Sequence, residues 1–243
     1  MDTAPDGPRH PGSAPPVAVD ALDGLARRAL GLVRDGRRAV LGIAGSPGAG
    51  KTTLARALVA RVDAIAGAGT AAGVPMDGFH LANATLDRRG LRDRKGAVDT
   101  FDGWGVLALV RRLRVEADHA VYAPSFDRAV DEGVTGAIAV EPGTRLVVLE
   151  GNYLLVDEEP WTLVAAELDE SWYCATPDAE REARLVERHT AGGRTPAAAE
   201  AWAREVDGAN ARLIEGTRRR ADLVVDGTAA GVRGAVDHDA AGG

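Results

Sequence analysis

Residues 45–52 read Gly45-Ser46-Pro47-Gly48-Ala49-Gly50-Lys51-Thr52 and fit the pattern G-x-x-x-x-G-K-[ST] at every fixed position. Residues 38–44, directly before them, are largely apolar and predict a short buried strand, and residues 53–59 carry apolar side chains at helical spacing. A strand, a glycine-rich turn and a helix in this order surround an anion with backbone N–H groups and the positive end of the helix dipole. The stretch therefore predicts a phosphate-binding loop.

The loop residues have separate predicted roles at a bound nucleotide. Lys51 is placed for the outer phosphates, and the Thr52 hydroxyl is placed for a magnesium ion. The chain contains two lysines, Lys51 and Lys95, so a chance match to the pattern is rare. We therefore predict ATP and Mg²⁺ as cofactors. The predicted nucleotide-binding residues are Gly45, Ser46, Pro47, Gly48, Ala49, Gly50, Lys51, Thr52 and Thr53.

Composition narrows the class of protein. The chain has 243 residues, 45% of them hydrophobic, and a net charge of −7, which suits one α/β domain and argues against a nucleic-acid or anionic-membrane surface. The single cysteine, Cys174, excludes an intrachain disulfide, and we expect it to be inert on a buried strand. No apolar run approaches the ~20 residues of a membrane span, so we expect a cytoplasmic protein. The oligomeric state stays open, a homodimer included.

Strands and helices alternate along the chain, which predicts an α/β, P-loop NTPase fold: a doubly wound parallel sheet with helices on both faces and a small helical lid. We expect a single P-loop domain over 18–228, between a disordered leader at 1–17 and a flexible tail at 229–243. Residues 121–128 and 136–140 predict a hairpin-like insertion. The predicted core strands are 38–44, 73–76, 145–150, 170–174 and 221–226, and the predicted helices are 19–33, 51–65, 101–115, 161–168, 178–189 and 197–218. We expect Trp104, Trp161, Trp172 and Trp202 in the core.

Two acidic residues follow or end predicted strands. Asp77 comes directly after strand 73–76, and Glu150 ends strand 145–150. Ligands of such sheets bind at the carboxyl ends of the strands, where the phosphate-binding loop also lies. One carboxylate can take a proton from an acceptor hydroxyl, and the other can hold magnesium. Taken alone, either acid is also compatible with a strand-end cap.

Arginines cluster in two later segments. Arg188 and Arg194 flank the glycines at 192–193 and predict a mobile lid that closes over ATP and neutralises developing charge. Arg181 and Arg184 instead suit a solvated helix face with ion pairs to nearby glutamates. The basic stretch 88–95 fits either a wall of the acceptor site or a solvated loop. His80 and His189 lack the neighbours that a zinc site requires.

Taken together, these motifs resemble the uridine kinase, pantothenate kinase and phosphoribulokinase group of P-loop kinases. The resemblance is closest to the bacterial nucleoside/nucleotide kinase family, some members of which are labelled fructose transport system kinases. It spans roughly residues 20–226. The resembling segments are 45–52, 76–81, 94–96, 100–102, 122–128, 150–155 and 188–189, with Asp207 and Asn210.

The resemblance implies a set of catalytic and metal-binding roles. Asp77 is implied as the general base on the acceptor hydroxyl. Lys51 and Thr52 are implied as the phosphate and magnesium ligands, and Glu150 is implied to support the metal. The lid arginines Arg188 and Arg194 complete the predicted catalytic set with Asp77 and Lys51.

The resemblance also implies an acceptor site. Tyr122 and Arg128 resemble the acceptor-binding pair of uridine kinases, and Asn210 is implied to face the acceptor. We add His80 and Asp77 to the predicted substrate-binding residues. Segment 122–128 reads Tyr-Ala-Pro-Ser-Phe-Asp-Arg, which differs from the tyrosine, histidine and arginine arrangement of uridine kinases.

The expected function is an ATP-dependent small-molecule kinase that transfers the γ-phosphoryl group to an alcohol of a nucleoside, pantothenate-like or sugar acceptor. The alternative is a P-loop ATPase or a regulatory nucleotide-binding protein without a metabolite acceptor. A GTPase is excluded because neither Lys51 nor Lys95 belongs to the base-reading motif N-K-x-D.

Overall fold

A five-stranded sheet and its flanking helices account for most of the chain in the computed structural model, which describes residues 22–34 and 37–228. The predicted leader, the predicted tail and the start of the first predicted helix lie outside these residues. The helices are α1 (Leu22–Leu30), α2 (Lys51–Ala66), α3 (Asn83–Arg89), α4 (Gly103–Val115), α5 (Trp161–Ala166), α6 (Asp178–Ala191), α7 (Pro196–Trp202) and α8 (Gly208–Glu215). The strands are β1 (Ala39–Ala44), β2 (Ala71–Pro75), β3 (Val121–Asp127), β4 (Glu132–Val140), β5 (Leu146–Glu150), β6 (Glu170–Ala175) and β7 (Leu223–Asp226).

The main sheet has the strand order β2-β5-β1-β6-β7, and every neighbouring pair is parallel. Every residue of β1 and β5 is buried, as expected for strands covered on both faces. Alternate residues enter two hydrophobic clusters: Val40 packs on the α4 side, and Leu41 and Ile43 pack on the α1 and α2 side. The predicted doubly wound α/β fold is therefore confirmed.

The connections change direction between β1 and β5. The chain leaves β1 through α2 toward β2 on one side, and it leaves β5 through α5 toward β6 on the other. Such a switch point opens a crevice at the carboxyl ends of the two strands. Glu150 pairs in register with Ile43 of β1 and Pro75 of β2. Gly45 and Asp77, each two residues further along, therefore emerge beside Glu150 at the same edge.

The predicted hairpin is also present. Strands β3 and β4 pair antiparallel in a separate two-stranded sheet, with irregular pairing between Ala123 and Ser125. The hairpin packs on the 3₁₀ turn Met76–Phe79 so closely that a Cβ at Gly78 would collide with the Pro124 carbonyl oxygen. This backbone contact fixes the hairpin against the turn that carries Asp77.

Three expectations about helices and tryptophans need correction. The predicted helix 197–218 contains a π-helical segment, Ala203–Asp207, between α7 and α8, and α8 ends at Glu215. Trp161 and Trp172 are buried as predicted, but Trp104 is 58% exposed on α4 and Trp202 is only partly buried.

Within the described ranges, none of the helices has the length and apolar character needed to cross a membrane.

Candidate active site

A cleft of about 650 Å³ opens at the carboxyl ends of β1 and β5. Its floor is the phosphate-binding loop. One wall is the Asp77 turn with the β3–β4 hairpin, and the other comes from α6 to α8. The predicted site residues that line it are Pro47, Gly48, Gly50, Lys51, Thr52, Thr53, Asp77, His80, Arg128, Glu150, Arg188, Arg194 and Asn210.

Glycines at two loop positions hold left-handed backbone. Gly48 has φ +80° and Gly50 has φ +95°, and Gly50 is the N-cap of α2. L-residues with a Cβ rarely adopt this region, so these positions require glycine. The predicted residues Gly45, Ser46 and Ala49 belong to the loop but lie beneath the cleft surface, where Ala49 is 1% exposed. The loop thus has the turn that the pattern predicts.

Lys51 is buried at the start of α2, and its Nζ donates to the Ser46 carbonyl oxygen at 3.2 Å. Burial lowers the pKa of Lys51, whereas the carboxylates of Glu150 and Asp77 raise it. A desolvated ammonium between two carboxylates is strongly attracted to any phosphate that enters the cleft, because the local dielectric constant is low.

The Thr52 hydroxyl and the Glu150 carboxylate together present oxygen atoms that could bind a metal ion beside the loop. The Thr52 hydroxyl donates to the Glu150 carboxylate at 2.8 Å. Burial, with repulsion from Asp77 as the next cause, raises the pKa of Glu150 to about 7. A buried carboxylate that is short of positive charge fits a divalent cation. Across the described residues, no group of three or more His, Cys, Asp or Glu side chains could hold a metal by itself.

Asp77 lies in the 3₁₀ turn that follows β2, and its carbonyl oxygen is 2.7 Å from Nδ1 of His80. A carbonyl oxygen only accepts, so this contact assigns the proton to Nδ1 and leaves Nε2 as an acceptor. Burial lowers the pKa of His80, against the opposing effect of the Asp77 carboxylate. The His80 ring packs on Phe101 at 4.0 Å and on Phe126 at 4.8 Å between centroids. The neutral imidazole therefore forms part of an aromatic wall beside Asp77.

The helical side of the cleft carries the predicted lid arginines. Desolvation by the surrounding protein lowers the pKa of Arg188. The Asp207 and Asp77 carboxylates raise this pKa, and the charge of Arg128 lowers it further. The Arg194 guanidinium lies over the Trp202 ring, 3.9 Å from its centroid. Asp207, in the π-helical segment, accepts from Nε2 of His189 at 2.7 Å. Sequence reasoning missed Trp202 as a residue that lines the cleft, because it was assigned to the core.

The solvated face expected for Arg181 and Arg184 is wrong. Arg181 is buried and donates to the Pro47 carbonyl oxygen at 3.3 Å, while Arg184 donates to the Gly48 carbonyl oxygen at 3.3 Å. The expected pairing with a glutamate does occur, between Arg184 and Glu180 at 2.6 Å. Both arginines pack against the phosphate-binding loop and support its conformation, and Arg184 also lines the cleft.

Tyr122 does not lie with the other predicted acceptor residues. It alternates along β3 with buried Val121 and Ala123, so its side chain faces outward and is 60% exposed. It does not line the cleft. Phe126, further along the same strand, lines it instead. Asn210 lies in the cleft and donates to the Gly96 carbonyl oxygen at 3.3 Å.

Lys95 ties the basic stretch to the hairpin. Its Nζ donates to Asn83 Oδ1 at 2.7 Å and to Asp131 Oδ2 at 2.9 Å, and it lies 5.1 Å from the Phe126 ring centroid. Residues 88–95 were compatible with a wall of the acceptor site or with a solvated loop, and in the structure Arg92 and Lys95 line the cleft. Arg88, Arg89 and Arg94 are exposed outside it.

A phosphate-binding loop with carboxylates beside it at the switch point of a parallel sheet defines a P-loop protein of the kinase class. No protein-family profile matches the chain. A Schizosaccharomyces pombe protein named as a candidate uridine kinase is 36% identical over 179 residues, which is 72% of this chain and 76% of the relative. An ATP-dependent kinase-like protein of Aspergillus versicolor is 42% identical over 161 residues, which is 63% of this chain and 94% of the relative.

A solved structure extends the likeness. The crystal structure of a protein from Silicibacter sp. TM1040, described as a candidate fructose transport system kinase, is 42% identical to this chain with a TM-score of 0.77. The match covers 84% of this chain and 98% of that one. The chain belongs to the uridine kinase-like family of P-loop kinases, as its motifs predicted.

Proposed function

We propose that the protein transfers the γ-phosphoryl group of ATP to an alcohol group of a small molecule. The observation that carries this proposal is the meeting of three groups in one cleft: Lys51 on the loop, Asp77 on the neighbouring turn, and the Thr52–Glu150 pair. A base, a phosphate-binding cation and a pair of metal-binding oxygens are the parts that phosphoryl transfer needs. The kinase relatives support the use of ATP.

In this mechanism Asp77 accepts the proton of the acceptor hydroxyl as the hydroxyl oxygen forms a bond to the γ-phosphorus. The bond from the γ-phosphorus to the oxygen that bridges it to the β-phosphate breaks, and ADP leaves with that electron pair. Lys51 and the loop amides hold the phosphates, and Arg188 and Arg194 compensate the charge that develops on the transferred group. Magnesium held by Thr52 and Glu150 would supply further charge neutralisation.

Three acceptor classes are compatible with this proposal: nucleosides, pantothenate-like alcohols and sugars. The name of the Schizosaccharomyces pombe relative points to uridine, and the name of the solved Silicibacter protein mentions fructose transport. The aromatic wall of His80, Phe101 and Phe126 is compatible with either a base or a sugar ring.

Replacing Asp77 by Asn tests the base. We expect Asp77→Asn to lower kcat by about 10²- to 10⁴-fold, with the affinity for an ATP analogue nearly unchanged, because Asp77 faces the acceptor and Lys51 remains in place. Acceptor-dependent ADP release and product mass measure turnover, and calorimetry measures analogue binding. Asp93→Asn is the matched control, since Asp93 is exposed and lies outside the cleft. Full turnover by Asp77→Asn would exclude Asp77 as the base, and ADP release that no acceptor accelerates would identify an ATPase.

A further inference from the structure

Positive charge in the cleft exceeds what its carboxylates balance. Seven cationic side chains and four carboxylates line it, an excess of three positive charges with the acids ionised and the histidines neutral. The whole protein carries a net charge of −7. Positive charge collected in one cleft of an acidic protein marks a site for anions.

Besides Lys51 of the loop, three arginines of the cleft lack a carboxylate partner among the described residues. Among the described residues, Arg92, Lys95 and Arg184 have carboxylate partners within 4.0 Å, whereas Arg128, Arg188 and Arg194 have no ion pair and their guanidinium groups make no hydrogen bond within that part of the chain. Arg194 packs on Trp202. Arg128 and Arg188 line the same cleft. Burial lowers the pKa of Arg188, the Asp207 carboxylate opposes this effect, and the charge of Arg128 adds to it. An anion that binds between two guanidinium groups of one cleft is stabilised by both.

Arg128 lies on the acceptor side of the cleft. It follows β3 directly, in the hairpin that packs on the Asp77 turn, and Phe126 of the same hairpin contacts His80. Arg188 lies on α6, whose Arg184 donates to the Gly48 carbonyl oxygen of the phosphate-binding loop. Arg128 instead belongs to the hairpin wall of the cleft. In the proposed kinase the ATP phosphates bind at the loop, which leaves Arg128 for a different anion.

We propose that the acceptor alcohol carries an anionic group, a phosphate monoester or a carboxylate, and that Arg128 binds this group opposite Arg188. This inference rests on the proposed kinase function and narrows its acceptor class. Neutral nucleosides and free sugars are then poor acceptors, and their anionic counterparts are good ones. The planar guanidinium of Arg128 matches either anion through two parallel N–H donors.

A binding experiment tests the anion site without any turnover. The full chain is saturated with Mg²⁺ and a non-hydrolysable ATP analogue, and is then titrated in a calorimeter with inorganic phosphate or with glycolate. We expect one further anion to bind in the millimolar range. Arg128→Met should weaken it by about 10- to 100-fold, and Arg128→Lys should weaken it less. Unchanged affinity for the ATP analogue shows that each variant is folded. Arg89→Met is the matched control, because Arg89 is exposed on α3 outside the cleft. Absence of the second anion site, or equal binding to Arg128→Met, overturns the inference.

A turnover experiment then separates the two anions. Pairs of alcohols that differ only in charge are compared as acceptors: a nucleoside with its monophosphate, a pentose with its phosphate, and a polyol with its acid. We expect the anionic member to have a kcat/KM at least about tenfold higher, and we expect Arg128→Met to remove this preference without changing the KM for ATP. A faster phosphate ester or a faster acid identifies the group that Arg128 binds. Equal or faster phosphorylation of the neutral members overturns the anionic acceptor while leaving the kinase function intact.

Discussion

Replacing Glu150 by Gln should stabilise the nucleotide-free protein above neutral pH. Glu150 is 6% exposed, and its folded-state pKa of about 7 lies above the ordinary value of 4.5. The folded state therefore holds the Glu150 proton more tightly than the unfolded state does. The resulting stability is complete below pH 4.5 and is lost as the pH rises through 7. A shift of this size corresponds to about 3 kcal/mol, at about 1.4 kcal/mol per pKa unit.

The amide in Glu150→Gln would keep an oxygen that accepts from Thr52 and would remove the charge. At pH 8, without magnesium, we expect this variant to unfold with a free energy higher than wild type by up to about 3 kcal/mol. At pH 4.5 the two proteins should be nearly equal, because Glu150 is then protonated in the folded state. Loss of the attraction between Glu150 and Lys51 is already included in this difference, since the Lys51 ammonium lowers the same pKa.

Urea unfolding followed by circular dichroism, at pH 4.5 and pH 8 with a chelator present, measures both free energies. Glu158→Gln is the control, because Glu158 is exposed on the loop before α5. The reasoning is refuted if Glu150→Gln is no more stable than wild type at pH 8, or if the same difference persists at pH 4.5. Loss of magnesium-dependent turnover in the same variant would show that the Glu150 carboxylate is required for activity although it lowers the free energy of unfolding.

Two further substitutions test the loop. Lys51→Ala should lower both the affinity for an ATP analogue and kcat, because it removes the buried ammonium that we propose contacts the phosphates. Calorimetry and initial rates measure the two effects, and unchanged kinetics would disprove the loop assignment. Arg181→Met should raise the KM for ATP by about tenfold with a smaller effect on kcat, because it removes the hydrogen bond to the Pro47 carbonyl oxygen at 3.3 Å while keeping much of the buried volume. Thermal unfolding of Arg181→Met gives its folded fraction, and an unaltered KM in a folded variant would contradict a supporting role for Arg181.

The core of the fold was predictable because its signals are local. Strands β1 and β5 are continuous apolar runs, and the loop between β1 and α2 follows a pattern with fixed glycines. The placement of Asp77 and Glu150 at one edge followed from the rule for parallel sheets. Each of these inferences uses neighbouring residues or a general property of the α/β class.

The errors arose where packing between distant segments decides the outcome. Arg181 and Arg184 are spaced like residues of a solvated helix face, yet that face lies on the phosphate-binding loop more than a hundred residues earlier in the chain. Tyr122 was assigned by similarity of motif, but the alternation of β3 turns it outward. Helical periodicity also could not predict the π-helical segment Ala203–Asp207, which depends on one extra residue per turn.

The contact between the hairpin and the Asp77 turn has different consequences for substitutions at the hairpin tip and for substitutions at the contact itself. Glycines at 78 and 133 let two backbones touch near the tip, where Gly133 pairs with Phe126, so this part of the hairpin packs directly on the turn that carries Asp77. Side chains of the tip, at residues 126–131, line the cleft, and the hairpin is separate from the five-stranded sheet. New side chains at the tip would therefore change the lining of the cleft without moving Asp77, whereas a larger residue at either glycine would push the hairpin and the Asp77 turn apart.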